Sequence, residues 1–189
     1  LDLQDTLLSY HLHSETFNNQ NLKDLMDFIV SKVELDQIAK DWIDKNIVGQ
    51  EYILHSFDGK FNIETLDYFP LQMHGKATVK NATISFEPSV PAAHVKEIGI
   101  EFKNDKLIFD IKAPTYEQKV IDKADVYIYN LIGKGTGIVV DLTAVSKLDE
   151  PIHKILHAFK IDVPITQTSG KTDAHVRLDI KFLPFDINA

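Results

Sequence analysis

The chain has 189 residues, 44% of them hydrophobic and 25% charged, which supports one hydrophobic core and excludes a disordered chain. Its net charge of −8 argues against nucleic acid as the main partner, because phosphate binding requires clustered lysine and arginine. The absence of cysteine excludes disulfides, thiolate nucleophiles and cysteine-ligated metals.

Residues 1–49 are predicted to form an N-terminal strand and a helical subdomain. Residues 1–13 alternate weakly between apolar and polar side chains, which is typical of a short strand. Apolar residues then recur at three- and four-residue steps, which predicts one amphipathic helix over 21–32 and a second over 35–46.

Three single residues mark the ends and the packing of these helices. Asn21 is the predicted cap of the first helix, because its side chain can accept hydrogen bonds from free backbone amides. Gly49 is the predicted stop signal of the second helix. Trp42 is interpreted as a core anchor of that helix.

Residues 50–189 are predicted to form a β-rich domain, continuous with the first part as one structural unit. Turn residues separate eight strand-like stretches, which are 52–63 (broken near Asp58-Gly59), 72–79, 82–87, 95–102, 107–113, 124–131, 137–145 and 171–182. One further helix is predicted over 148–159. The predicted fold class is therefore α+β, with two short N-terminal helices, then a curved, mainly antiparallel β-sheet, and one helix near the C-terminal end.

The clearest hairpin joins residues 98–102 to 107–111 through a turn at Lys103-Asn104-Asp105. Apolar and polar side chains alternate in both strands and in the last strand, so one face of the sheet is predicted to be apolar. The candidate lining of an apolar groove on this face is Ile98, Ile100, Phe102, Leu107, Phe109, Ile111, Val176, Leu178 and Ile180. A closed hydrophobic core is the alternative interpretation of the same nine residues.

Motifs for catalysis and metal binding are weak. His153 and His157 are four residues apart on a predicted helix, but Lys154 stands where a zinc enzyme of this spacing has glutamate. The glycine-rich stretch 133–137 leads into a β-like segment, which indicates a flexible hairpin connection and not a phosphate loop. The sequence therefore predicts no enzyme activity, no metal site and no cofactor.

Five segments, taken in their order along the chain, resemble a known family. They are residues 22–29, 39–49, 75–91, 98–107 and 168–184. Together they resemble the periplasmic domain of uncharacterised function found in AsmA-like envelope proteins, the group that includes the YhdP and TamB types. The resemblance covers about residues 22–184 and rests on the order of the segments, because no single motif is diagnostic.

The resemblance implies a protein that is not an enzyme and needs no cofactor. Such proteins are held in the inner membrane by an N-terminal helix, absent from this chain, and extend through the periplasm as a long β-structure with an apolar groove. For this chain the resemblance implies a segment of a bridge that carries phospholipids between the inner and outer membranes. Its implied partners are phospholipid acyl chains, neighbouring segments of the same full-length chain and the inner membrane, with no nucleic acid. The alternative is a structural or protein-interaction module of the cell envelope, with a closed core and no lipid.

Overall fold

The structure is a computed structural model and describes residues 6–32, 36–85, 89, 91–112, 114–116, 119–132, 135–158, 160–165 and 167–182. The helices in these ranges are α1 (Asn19–Lys32), α2 (Gln37–Asn46) and α3 (Glu150–Ala158), with a 3-10 turn at Pro70–Gln72. The strands are β1 (Leu7–Leu12), β2 (Thr16–Phe17), β3 (Ile47–Val48), β4 (Glu51–Asn62), β5 (His74–Ile84), β6 (Ala93–Lys103), β7 (Lys106–Lys112), β8 (Thr115–Tyr116), β9 (Lys119–Val120), β10 (Lys123–Tyr129), β11 (Gly137–Ser146) and β12 (Thr172–Lys181).

Eight strands form the body of one open antiparallel sheet, in the order β1-β4-β5-β6-β7-β10-β11-β12. Strands β1 and β12 lie at its two edges, and the short strands β2, β3, β8 and β9 pair at its margins. From β4 to β7 and from β10 to β12, consecutive long strands lie side by side, as short connections favour. The prediction of a mainly antiparallel sheet with three helices is confirmed in this coarse form.

Two strands are longer than the turn residues in the sequence suggested. Strand β4 continues through Asp58 and Gly59, and its irregularity lies instead between Leu54 and Ser56. Strand β5 spans two stretches that the sequence predicts as separate strands. The strand continues through Asn81 between them, which adopts a φ of 49°. Asparagine tolerates this left-handed conformation better than most residues, so the ladder continues on both sides.

The start of α1 corrects the predicted cap. Helix α1 begins at Asn19, two residues earlier than expected, and Asn21 lies within its first turn. The capping side chain is Asn18, whose Oδ1 accepts a hydrogen bond from the backbone amide of Asn21 at 3.0 Å.

The end of α2 corrects the predicted stop signal. The helix passes directly into β3, with Ile47 already in an extended conformation, and Gly49 follows that strand. The backbone amide of Gly49 donates to the hydroxyl of Tyr52 at 2.7 Å, so this glycine belongs to the β3–β4 connection.

The predicted hairpin is present as β6 and β7. Asn104 and Asp105 form its two-residue turn with φ of 49° and 61°, the conformation of a type I′ turn. In its register Ile98 faces Ile111, and Phe102 faces Leu107.

An apolar face runs across the sheet, in rows set by the strand register. One row consists of Phe57, Gly75, Phe102, Leu107, Ile128, Ile138 and Ile180, and the next of Leu54, Ala77, Ile100, Phe109, Val126, Val140 and Leu178. Helix α2 packs on this face through Ala39 and Ile43, which are buried in the same core cluster as Ile98 and Ile128. The hydrophobic core therefore lies between the sheet and the N-terminal helices.

Candidate apolar cleft

A cleft of about 150 Å³ lies between the two N-terminal helices and the apolar face of the sheet. Among its described lining residues Lys76 alone carries a charge. The helices contribute Leu22, Leu25, Met26 and Ile29 from α1 and Ile43 from α2. The sheet contributes Phe17, Ile47, Tyr52, Leu54, Phe57, Gly75, Ala77, Val79, Ile100, Phe102 and Leu107, and the segments outside the strands and these helices add Pro70, Met73, Leu131 and Ile132.

The β2–β4 pair positions the first turn of α1 over the cleft. Phe17 of β2 stacks on Tyr52 of β4 with a ring distance of 5.7 Å. The Tyr52 hydroxyl then donates to Asn19 Oδ1 at 2.8 Å, which joins the start of the helix to the sheet. Burial raises the pKa of Tyr52, so the hydroxyl keeps its proton as a donor.

Helix α2 is fixed at its start by hydrogen bonds to the connection between β10 and β11. Asp36 caps the helix by accepting from the backbone amides of Ile38 and Ala39, at 2.8 and 3.3 Å. The backbone amide of Asp36 donates to Leu131 O at 2.8 Å, and its carboxylate also accepts from the buried hydroxyl of Thr136 at 2.6 Å. These contacts hold the wall of the cleft that α2 forms.

A buried lysine links the two helices. Lys40 of α2 is 4% exposed, and its Nζ lies 2.8 Å from Asp27 of α1 and 2.8 Å from Asp44 of α2. The hydrogen bonds with Asp27 and Asp44 raise the pKa of Lys40 well above its usual value. The lysine is therefore a stable cation between the two helices.

All nine candidate lining residues lie on the apolar face, but their environments differ. Ile100, Phe102 and Leu107 line the cleft. Ile98 and Phe109 are 0% and 4% exposed and belong to the closed core. Ile111, Val176 and Leu178 are half-buried, with Ile111 and Leu178 packed against the core, and Ile180 at the edge strand is 41% exposed.

The cleft also contains residues that the sequence reasoning missed, and most of them come from the N-terminal third. The stripe Leu22, Leu25, Met26 and Ile29 predicts a helix, but its periodicity does not identify the surface that the helix covers. An amphipathic stripe must cover another apolar surface, and the alternating strands offered the largest one in the sequence. Trp42 is half-buried and contacts Phe182 with a ring distance of 5.9 Å, which agrees with its interpretation as a packing residue.

The other sequence motifs lie away from the cleft. His157 contacts Asp162 at 3.1 Å on the surface, and within the described ranges no three histidine or acidic residues form a metal-binding group. The stretch 133–137 connects β10 to β11 as predicted, and its Thr136 is fully buried, while residues 133 and 134 lie outside the described residues. None of the helices in the described part of the chain has the length and apolar composition needed to cross a membrane.

Comparison with known proteins gives one match. Residues 30–189 match the sequence model of the family described as YhdP protein. The matched range runs from the end of α1 to the end of the chain and contains all nine candidate lining residues. No curated protein and no solved structure matches the chain.

Proposed function

Because the chain belongs to the YhdP family, we propose that it is a segment of an AsmA-like envelope protein whose cleft binds phospholipid acyl chains. The observation that carries this proposal is the composition of the cleft, in which apolar side chains form nearly all of the described lining. The hydrophobic effect is non-directional, so such a lining favours a hydrocarbon chain without selecting a headgroup.

The size of the cleft fits part of one acyl chain. Its volume of about 150 Å³ equals that of an engineered apolar cavity of about 150 Å³ that binds benzene. Each methylene group transferred from water contributes about 0.8 kcal/mol, so a few enclosed carbons give measurable binding. The row from Phe57 to Leu107 crosses four strands, which allows the chain to continue along the apolar face.

The proposal extends to the setting of this segment. The full-length protein would be tethered to the inner membrane and the segment would lie in the periplasm, without enzymatic activity. Neighbouring segments of the same chain would continue the structure on either side. At the edge strand β1 about half of the surface of Leu7, Leu8 and Leu12 is exposed. A neighbouring segment that contacted β1 would therefore bury apolar surface.

A structural or interaction module is the second candidate function. It is supported by the part of the apolar face that is already closed, where Ile98 and Ile128 have no exposed surface and Phe109 is 4% exposed. A module of this kind would contain no lipid and would need no cleft. The two candidates therefore differ in what the purified protein contains.

The test is solvent extraction and mass spectrometry of the protein purified from bacteria without detergent. We expect phospholipid or fatty acid near stoichiometry, lost in Phe102→Asp, which places a charge in the cleft. Ile108→Asp is the matched control, because Ile108 is also half-buried but belongs to the opposite face of the same hairpin. Ala77→Phe fills the cleft without a charge and should also remove the lipid. A lipid-free wild-type protein that melts cooperatively would overturn lipid binding in favour of the structural module.

A further inference from the structure

We infer that α1 is a movable cover of the cleft and that an acyl chain enters beneath it. The identity of the ligand in this inference rests on the proposed function. The movement of α1 rests on contacts within the protein, which can be tested without any ligand.

The two helices over the cleft are buried to different extents. In α2, Ala39 and Ile43 are 0% and 8% exposed. In α1, the four side chains that face the cleft (Leu22, Leu25, Met26 and Ile29) are each only half-buried. The cleft-facing side chains of α1 therefore keep some contact with water that Ala39 and Ile43 lack, so α1 is packed less completely than α2.

Polar contacts at Asn19 and Asp27 join α1 to the sheet and to α2. At its first turn Asn19 accepts a hydrogen bond from the Tyr52 hydroxyl at 2.8 Å. Further along, Asp27 pairs with Lys40 at 2.8 Å, although the Asp27 side chain is 54% exposed. Because Phe17 remains paired with Tyr52 in the sheet, the chain just before α1 is a fixed point about which the helix can turn.

Opening of α1 leaves no buried charge without a partner. Lys40 is the buried member of the ion pair, and it retains Asp44 at 2.8 Å within its own helix when Asp27 departs. An unpaired buried ammonium would oppose opening strongly, whereas exchange of an exposed carboxylate for water costs little. The Tyr52 hydroxyl keeps the hydrogen bond that it accepts from the Gly49 amide, and once α1 has moved it can donate to water in place of Asn19.

The volume of the cleft supplies the reason for movement. With α1 in place the space of about 150 Å³ matches a benzene-sized group and encloses only part of an acyl chain. Leu22 and Met26 of α1 line the same space as Phe102 and Leu107 of the sheet. Displacement of α1 would therefore enlarge the space and enclose more of the chain.

The test is native-state hydrogen exchange of the whole chain at increasing low concentrations of denaturant. We expect the α1 amides to exchange through a local opening, while the α2 amides exchange only near global unfolding. Asp27→Asn should raise exchange in α1 about fivefold, as expected for the loss of one hydrogen bond. Asp24→Asn is the matched control, because the Asp24 carboxylate accepts a hydrogen bond from Gln20 of the same helix, at 2.9 Å. Exchange of α1 and α2 together, in the same unfolding event, would overturn the inference.

A second measurement uses a fluorescent fatty acid, cis-parinaric acid, as the probe. We expect the probe to slow exchange in α1 and to associate faster with Asp27→Asn than with the wild type or Asp24→Asn. Binding of the probe with α1 and α2 still exchanging together contradicts the movable cover but not the proposed function. Local opening of α1 without binding of the probe by any variant contradicts the proposed function and, with it, this entry route.

Discussion

Thr136 Oγ1 lies 2.6 Å from Asp36 Oδ2, although the two residues are 100 positions apart in the chain. Asp36 caps α2, and Thr136 is fully buried in the connection between β10 and β11. The hydroxyl also lies 2.6 Å from Asn130 O, so its single proton serves two neighbouring acceptors. This contact positions the start of α2 on the sheet and thereby one wall of the cleft.

Thr136→Val tests the contribution of that hydroxyl. Valine has the same shape but cannot donate, so two acceptors lose their shared donor in a buried place. We expect the free energy of unfolding to fall by about 1–3 kcal/mol in denaturant titrations. Thr143→Val is the same substitution at a half-buried position within β11, and we expect it to change the free energy of unfolding by less than about 0.5 kcal/mol. Equal effects at the two positions would show that the link to Asp36 is not important for stability.

Gly137→Ala tests the close packing between β10 and β12. A Cβ at this position would collide with the Tyr129 hydroxyl and would lie 2.9 Å from the backbone oxygen of Ile180. Tyr129 cannot move freely because its hydroxyl donates to Asp179 at 2.8 Å. We therefore expect the free energy of unfolding to fall by about 1–3 kcal/mol.

Gly99→Ala is the matched control for this prediction. Gly99 also lies within a strand, but the nearest atom to its added Cβ would be Asp110 Cβ at 3.4 Å, an ordinary contact. We expect this variant to be as stable as the wild type or slightly more stable, because alanine loses less backbone entropy than glycine. A similar loss in both variants would contradict the packing argument.

The hairpin of β6 and β7 could be predicted because its signals are local. Alternating side chains fix the face of each strand, and Asn104 with Asp105 suits the left-handed conformations of a tight turn. The break expected at Asp58-Gly59 was wrong because a distant strand overrides the local turn preference. Tyr10 of β1 pairs with Gly59 and lies against it, so the glycine fits under an aromatic ring within a continuous strand.

The cleft was only partly predictable from the sequence. Ile100, Phe102 and Leu107 could be found from strand alternation, but alternation cannot distinguish an open part of a face from one that a helix covers. The covering by α1 and α2 depends on Asp36 with Thr136 and on Lys40 with Asp27. These contacts join side chains of different elements, and such contacts leave no periodic signal along the chain.

Asp141→Asn tests the acid dependence of stability. His175 and Arg177 contact the Asp141 carboxylate at 2.7 and 3.1 Å, and their hydrogen bonds and charges lower its pKa below the usual 3.8. A lowered pKa in the folded state stabilises the protein above pH 3.8, and this stabilisation disappears as the pH falls through the folded value.

We therefore expect the difference in Tm between the wild type and Asp141→Asn to be largest near pH 6 and to shrink below about pH 4. Thermal unfolding followed by circular dichroism at both pH values measures it. His175→Ala removes the nearest partner and should weaken the same pH dependence in part. A difference in Tm that does not vary between these pH values would contradict the ionic role of Asp141.

Asp105→Gly sets a local turn preference against a long-range contact. Asp105 has a φ of 61°, so glycine would relieve about 1 kcal/mol of backbone strain and complete the preferred Asn-Gly turn. However, Asp105 Oδ1 accepts a hydrogen bond from the backbone amide of Ile132 at 2.6 Å, and Ile132 lines the cleft. A charge-assisted bond of this kind contributes about 1.5–3 kcal/mol, so we expect Asp105→Gly to lower the free energy of unfolding by about 1 kcal/mol.

Asn104→Gly relieves the same type of strain at the neighbouring position, and denaturant titration should show it to be neutral or stabilising. If Asp105→Gly were the more stable variant, the turn alone would determine stability here, and the Ile132 segment would be held by its apolar contacts.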